Sequence, residues 1–341
     1  MARKDMPLLE NLKTPVNSGM LPAIKADEAF FPSPKHAMNG WWYVGKFEAE
    51  GETLGYLAHW MYMGTRFGEP TLCYHFSVTN QTTGKFYHKS ELYRQPDITI
   101  EESGEGAGRS LLVKVPAGFM QGDLGKIHLE AGGEGIRLCC DMESYGNVLY
   151  GGGTTSFPAI IGTNINQFSV PDMRTKGTIT IEGKTYEIEG SSWLDRQWQT
   201  DNPSDPRSIG KWKWNWFNIV LDNDEALGVW DMYIVSQGVH AAWATVLHPD
   251  GTQTIDVLTR PPFEKYWKSP ASGKNYPIES EVCLPNLGVQ LKVKSVLEAQ
   301  EMGVPGMIAM YEYEGLSEVT GTYQGKEVSG YSYYELVGAW E

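Results

Sequence analysis

The stretch GTITIEGKTYEIEGSSWLDRQW, residues 177 to 198, decides the fold. Apolar and polar residues alternate along TYEIE up to Gly190-Ser191-Ser192, and a second extended segment, WLDRQW, follows. Within that segment an acid and a base, Asp195 and Arg196, stand between Trp193 and Trp198, where an isolated charge is costly to desolvate. Strand geometry separates them. With a period of two, Trp193, Asp195 and Gln197 project to one side, and Leu194, Arg196 and Trp198 to the other. An acid grouped with Trp193 in an apolar cavity would have its pKa raised and would stay protonated near neutral pH, as a general acid must. The competing expectation is an Asp paired with Arg or Lys from another strand for structural reasons.

Outward from this stretch the same pattern repeats. Short alternating runs closed by Gly, Asn or Asp begin at Trp41, among them WWYVGKFEAEG, LGYLAHWMYMG, GRSLLVKVPAG and GKIHLEAGG. Such spacing predicts antiparallel β-structure in a sandwich or barrel. Long helical patterns are nearly absent. Residues 1 to 38 carry Pro7, Pro15, Pro22, Pro32 and Pro34 without periodicity, so an irregular arm with at most a turn or two of helix is expected there. The Gly- and Pro-bearing stretch at 150 to 173 separates a first set of strands from a second. WYVGKFEAEGETLGY (42 to 56) and WFNIVLDNDEALGV (216 to 229) share a Trp, an aromatic, an acidic turn and Leu-Gly in order, which suggests two related β-units.

Length and composition agree with this organisation. The chain has 341 residues, more than one core usually serves, and 41% apolar against 21% charged residues, which is ordinary for a globular protein. A formal charge of -14 repels phosphate backbones and anionic surfaces, so nucleic acid is not an expected partner. No run approaches the ~20 apolar residues that span a bilayer, and MARKDMPLLENLK has no apolar core of a signal peptide, so a cytoplasmic location is expected. Cys73, Cys139, Cys140 and Cys283 form no C-x-x-C, and neither a disulfide framework nor a zinc site is indicated. No sequence feature bears on oligomeric state.

Familiar catalytic motifs are missing. GEGAG (104 to 108) and GGG (151 to 153) lack the strand-turn-helix setting of a phosphate loop, and no H-E-x-x-H or G-x-S-x-G occurs. Chemistry without metal or cofactor is therefore expected. In KWKWNWF (211 to 217), strand alternation puts Trp212, Trp214 and Trp216 on one face, where they fill a core or line a cavity. In LCYHFSV, Tyr74 shares a face with Phe76 and Val78, while His75 belongs to a smaller, more polar face with Cys73 and Ser77. A lumen-facing role and a structural hydrogen bond are both open to His75.

NGWWYVGKFEAEGETLGY, the strand pair YHFSVTNQTTGKFYH, the S-W-L-D-x-x-W element, WNWFNIVLDNDEALGVWDMY and the closing YEYEGLSEVTGTYQGKEVSGYSYYEL together resemble the lipocalin-like family of carotenoid hydratases (hydroxyneurosporene synthase) and AttH proteins, over about residues 40 to 337. The resemblance implies an all-β fold of two calycin-type antiparallel barrel or sandwich halves with a hydrophobic ligand cavity near their junction. Combined with the chain's own punctuation, it divides the protein into an arm (1–38), a first lipocalin-like β-domain (39–165) and a second (166–341). Members include hydratases that add water across isoprenoid double bonds, kievitone hydratase among them, and more distant relatives are fungal Diels-Alderases.

By position, Asp195 inherits the role of the acid that protonates the alkene. The hydratases carry a His-x-aromatic pair upstream where this chain reads Asn166-Gln167-Phe168, so Asn166 is expected to orient a water or a substrate hydroxyl without serving as a base. Asp195, Asn166 and His75 are the candidate catalytic residues; Trp193, Phe168, Trp214, Trp216, Trp198 and Tyr74 are the candidate substrate-binding ones. The expected partner is a hydrophobic small molecule, a terpenoid, prenylated phenol or polyketide, undergoing hydration, dehydration or cyclisation. Cycloaddition by shape alone and non-catalytic carriage of a hydrophobic ligand are the alternatives.

Overall fold

A computed structural model describes residues 16–17, 24–65, 68–159, 163–200 and 211–341; the remainder of the expected N-terminal arm lies outside the described residues. Two curled antiparallel sheets make up most of the described residues, as the alternating runs predict, beside a short two-stranded one (Tyr266–Lys268 with Asn275–Pro277). The first contains β1 (Met38–Ala49), β2 (Glu52–Tyr62), β3 (Thr71–Asn80), β4 (Lys85–Arg94), β5 (Thr99–Ser103), β6 (Ser110–Val115), β7 (Gly118–Gly122), β8 (Lys126–Gly133), β9 (Ile136–Tyr145), β10 (Thr163–Ile181) and β11 (Lys184–Gln199). Their order is β4-β3-β2-β1-β11-β10-β9-β8-β7-β6-β5. The second contains β12 (Trp212–Leu221), β13 (Ala226–Ile234), β14 (Val239–Leu247), β15 (Thr252–Val257), β16 (Glu279–Leu284), β17 (Val289–Ser295), β18 (Tyr311–Tyr323) and β19 (Lys326–Gly338), in the order β15-β14-β13-β12-β19-β18-β17-β16. The one α-helix among the described residues is a single turn in the arm, Ala26–Ala29.

Two boundaries differ from the sequence expectation. The change of sheet falls between Gln199 and Trp212, so the division at 165/166 cuts through β10, a strand of the first sheet. Gly-Pro punctuation misled here because Pro171 sits at a β-bulge, where β10 shifts register between Val170 and Met173, and a bulge tolerates the missing N–H. Likewise Gly190-Ser191-Ser192 does not end a strand: β11 runs through it, with Gly190 leaving room for the Phe47 ring.

The two sheets repeat one plan. In each, the first long strand pairs with the next in a hairpin on one side and with the last strand on the other, β1 between β2 and β11, β12 between β13 and β19. The internal sequence echo thus has a structural counterpart. Trp42 of β1 lies opposite His59 and Asp195; Trp216 of β12 lies opposite Trp230 and Glu335. These two tryptophans meet edge to face, 5.2 Å between ring centroids, at the junction of the halves.

Three apolar cores result. Each half fills its own, and a third core between them takes Trp42, Val44, Leu57 and Trp193 from the first half and Trp216, Trp230, Leu316 and Tyr333 from the second. The Leu-Gly repeat allows the close approach. A Cβ on Gly55 would lie 2.7 Å from the Tyr333 hydroxyl, and one on Gly228 would lie 3.4 Å from Leu149 of the other half.

Candidate active site

Strand phase toward the end of β11 puts Trp193, Asp195 and Gln197 on the face that meets the second half. Asp195 lines a small cavity of about 30 Å³, together with Gly40, Trp42, His59, Gln167, Gln197, Trp216, Trp230 and Glu335. Its two oxygens are unequally occupied. Oδ1 bonds the Ser169 hydroxyl and accepts the Trp193 indole N–H at 2.7 Å, whereas Oδ2, among the described residues, accepts only the Gln167 amide at 3.0 Å. An ionised carboxyl offers about four acceptor positions, so one remains on Oδ2, and that is where the proton of the neutral acid belongs. Gln167 is itself fixed by the Trp230 indole, which donates to its Oε1 at 3.0 Å.

Burial dominates the electrostatics. It pushes the Asp195 carboxyl up to about 7, the hydrogen bonds from Ser169 and Trp193 working against it and the nearby Glu335 adding to it. Across the junction stands Glu335, raised by burial but held toward its charged form by the Trp214 indole N–H at 2.6 Å and by a hydrogen bond with Glu314. Glu314 is pushed well above the ordinary range by burial and by Glu335 and Glu312, and burial lifts Glu312 to about 8. Protons are therefore retained on part of this acidic group at neutral pH. His59 is held neutral, its pKa lowered to about 3 by burial and by His75.

The expected residues divide by strand phase. Trp193, Trp214 and Trp216 gather round Asp195 and Glu335, and Trp193 packs edge-on against Trp216 at 6.3 Å. His75 stands in the same cross-strand row as Asp195, Trp42 and His59, but it is one strand beyond the cavity wall. It contacts Cys73 at 2.9 Å, Ser90 at 2.8 Å and Glu312 at 3.5 Å, and burial lowers it to about 4.

Asn166, Phe168, Trp198 and Tyr74 are on the opposite face, away from Asp195. Asn166 donates to the Trp198 carbonyl at 3.4 Å, Phe168 and Trp198 pack edge to face at 6.2 Å in the first core, and the Tyr74 hydroxyl donates to the Gly132 carbonyl. In β10 it is Gln167 and Ser169, out of phase with Asn166 and Phe168, that lie opposite Gln197 and Asp195. The Asn166-Gln167-Phe168 stretch thus reaches the cavity through Gln167.

Trp42, His59, Gln167, Trp230 and Glu335 were not singled out from the sequence. A signal existed for the acids: Glu312, Glu314 and Glu335 interrupt otherwise apolar strand ends in YEYEG and SYYEL, and the last two lie directly opposite each other in the β18–β19 ladder. Three side chains suited to metal binding, His128, Glu130 and Cys139, come together on β8 and β9, and none of them lines this cavity. Asp141 bonds His128 and Arg137 bonds Glu130.

Comparison with known proteins places the fold. The chain is 27% identical over 181 residues to the dehydratase asqC of Emericella nidulans, and it spans about half the length of this curated relative, 50% of each. Solved structures that it resembles include a candidate AttH protein from Nitrosomonas europaea (TM-score 0.75, 19% identity, 95% of this chain and 99% of that one). Kievitone hydratase from Nectria haematococca follows (TM-score 0.73, 18% identity, 98% and 99%), and CghA with Sch210972 (TM-score 0.59, 11% identity, 99% and 98%). At these identities the structures speak for the fold. No helix among the described residues is long and apolar enough to cross a membrane. The AttH-like family model matches residues 23–339, nearly the whole chain, and with the paired half-barrels and their shared junction it shows that the chain belongs to the AttH-like family.

Proposed function

We propose that this protein adds water to, or removes it from, a carbon–carbon double bond of a hydrophobic terpenoid, prenylated phenol or polyketide, by acid catalysis and without a cofactor. The observation that carries the reading is Asp195: a buried carboxyl with a pKa near neutrality, one open position on Oδ2, and indole rings on several sides. A general acid works best when its pKa lies near the operating pH. In the hydration direction Asp195 gives its proton to one alkene carbon, the π pair forms the new C–H bond, and positive charge develops on the other carbon. The faces of Trp42, Trp216 and Trp230 stabilise that cation. Water then forms the C–O bond and passes its proton to Glu335, whose charged form Trp214 and Glu314 favour. Dehydration is the reverse.

The relatives named a dehydratase and a hydratase support this reaction class. At about 30 Å³ the cavity is far below the ~300 Å³ of ordinary small-molecule pockets, so rings at the junction must part to admit the organic substrate. Trp212 and Trp214, stacked at 4.8 Å and only partly buried, are placed to do so.

Solvent labelling tests the reading. A panel of prenylated phenols and hydroxylated terpenoids is incubated in heavy water and in heavy-oxygen water. Hydration carries solvent oxygen and deuterium into the alcohol, and Asp195→Asn should lower the rate by about 10²–10⁴-fold. Product that carries neither label would replace the proposal with cycloaddition. Tight retention of ligand without turnover would replace it with carriage.

A further inference from the structure

We infer that the cavity walled by Gly40, Asp195 and Glu335 is a binding site for a single reactive water, the co-substrate of hydration or the leaving molecule of dehydration; this rests on the function proposed above. Size is the first argument. About 30 Å³ admits one or two waters, because a water needs ~10–15 Å³ of such volume, and it excludes an alkene-bearing molecule. Polarity is the second. Asp195, Glu335, Gln167, Gln197 and His59 all line the space, more than the two to four partners that a buried water requires. His59 turns its Nε2 toward this space, 3.4 Å from where a Cβ on Gly40 would stand, and no side-chain hydrogen bond among the described residues occupies that nitrogen.

Gly40 creates the room. It has ordinary backbone torsions, and a Cβ there would stand 3.4 Å from His59 Nε2 and 3.7 Å from the Gln197 carbonyl, filling the cavity without backbone strain. The matching position of the second half holds Trp214, two residues before Trp216 as Gly40 is two before Trp42. One half thus supplies a ring that binds Glu335, and the other supplies space beside Asp195. The placement lets one water face both carboxyls. Its oxygen attacks the cationic carbon while its proton goes to Glu335; transfer of that proton from Glu335 back to Asp195, through the next water to enter, restores both carboxyls, so that the sum is alkene plus water to alcohol.

Gly40→Ala tests the site, because a methyl group takes about the space of the water. High-resolution crystal structures of the native protein and the variant should show ordered solvent within hydrogen-bond reach of Asp195 and Glu335 in the first and the methyl in its place in the second. With a para-prenylated phenol in heavy-oxygen water, the variant should still bind, read by tryptophan quenching, while labelled alcohol falls by about 10²-fold or more. A native cavity without solvent density overturns the inference whatever the variant does. So does alcohol formation by Gly40→Ala at the native rate. Ordered solvent without labelled alcohol from any substrate would retain the site and overturn the hydration reading on which its reactive role rests.

Discussion

Asp195 shows how one residue can be legible in kind but not in company. Alternation alone predicts that Asp195 and Arg196 part to opposite faces, and they do. The groups that govern its proton, Ser169, Gln167 and Glu335, come from β10 and β19, and no local pattern ties them to position 195. The raised pKa has a thermodynamic consequence with a definite sign. Below about pH 4 both folded and unfolded chains hold the Asp195 proton; between there and about 7 only the folded chain does, so stability declines as pH rises through that window. Fully developed, the penalty for ionising this buried carboxyl is roughly 4 kcal/mol. Asp195→Asn cannot lose that proton. Its melting temperature relative to the native protein should therefore move upward as pH is raised from 4 to 8, and a difference independent of pH would show that the carboxyl is not strained by burial.

At the level of the strand, β11 carries the site on one face and its support on the other. Arg196 is fully buried, stacked over Trp41 at 4.5 Å, and its guanidinium donates to the carbonyls of Ala29, Phe30, Phe31, Gly40 and Gln197 and to Asn39 Oδ1 at 2.7 Å. Among the described residues it forms no ion pair. Burial lowers its pKa to about 9, which leaves it charged at neutral pH. This side chain pins the arm to β1 and β11, and so holds both Gly40 and Asp195 in register. Leaving a buried acceptor without its donor typically costs about 1–3 kcal/mol, and Arg196→Met, which strips several carbonyls at once, should lower unfolding free energy by at least that amount in urea titration. Arg196→Lys keeps the charge but has three donors in place of five, so most of the loss should persist; full recovery with Lys would mean that charge, not the planar fork, holds the arm. Phase explains the misplaced residues as well. Asn166 and Phe168 flank Gln167, Trp198 follows Gln197 and Tyr74 precedes His75, and in a strand the next residue points the other way.

Over the whole molecule the sequence echo proves more informative than any motif, because it marks the hairpins whose tryptophans meet at the junction of the halves. All-β architecture and two related halves follow from alternation and that echo; the location of the junction core does not, since it depends on how two sheets curl toward each other. The site belongs to neither half. Asp195 and Glu335 occupy matching places, each in the closing strand of its sheet beside Trp42 or Trp216, so separating the sheets would part the two carboxyls and the rings together. Gly55 offers a way to do this from a distance, because it is not among the cavity-lining residues yet touches Tyr333 and Leu316 of the other half. Gly55→Val must push those side chains back, and overpacking of this kind costs about 1–3 kcal/mol. Gly108→Ala, where a Cβ meets nothing within 4 Å, serves as the neutral control. In the Val variant, water entering a loosened junction relieves the burial that raises Asp195. Its activity should then fall more than its stability, its tryptophan emission should shift to the red, and the pH above which turnover declines should move down from about 7 toward the ordinary carboxylate range. Native turnover and an unmoved pH limb would show that the two halves carry their chemistry independently.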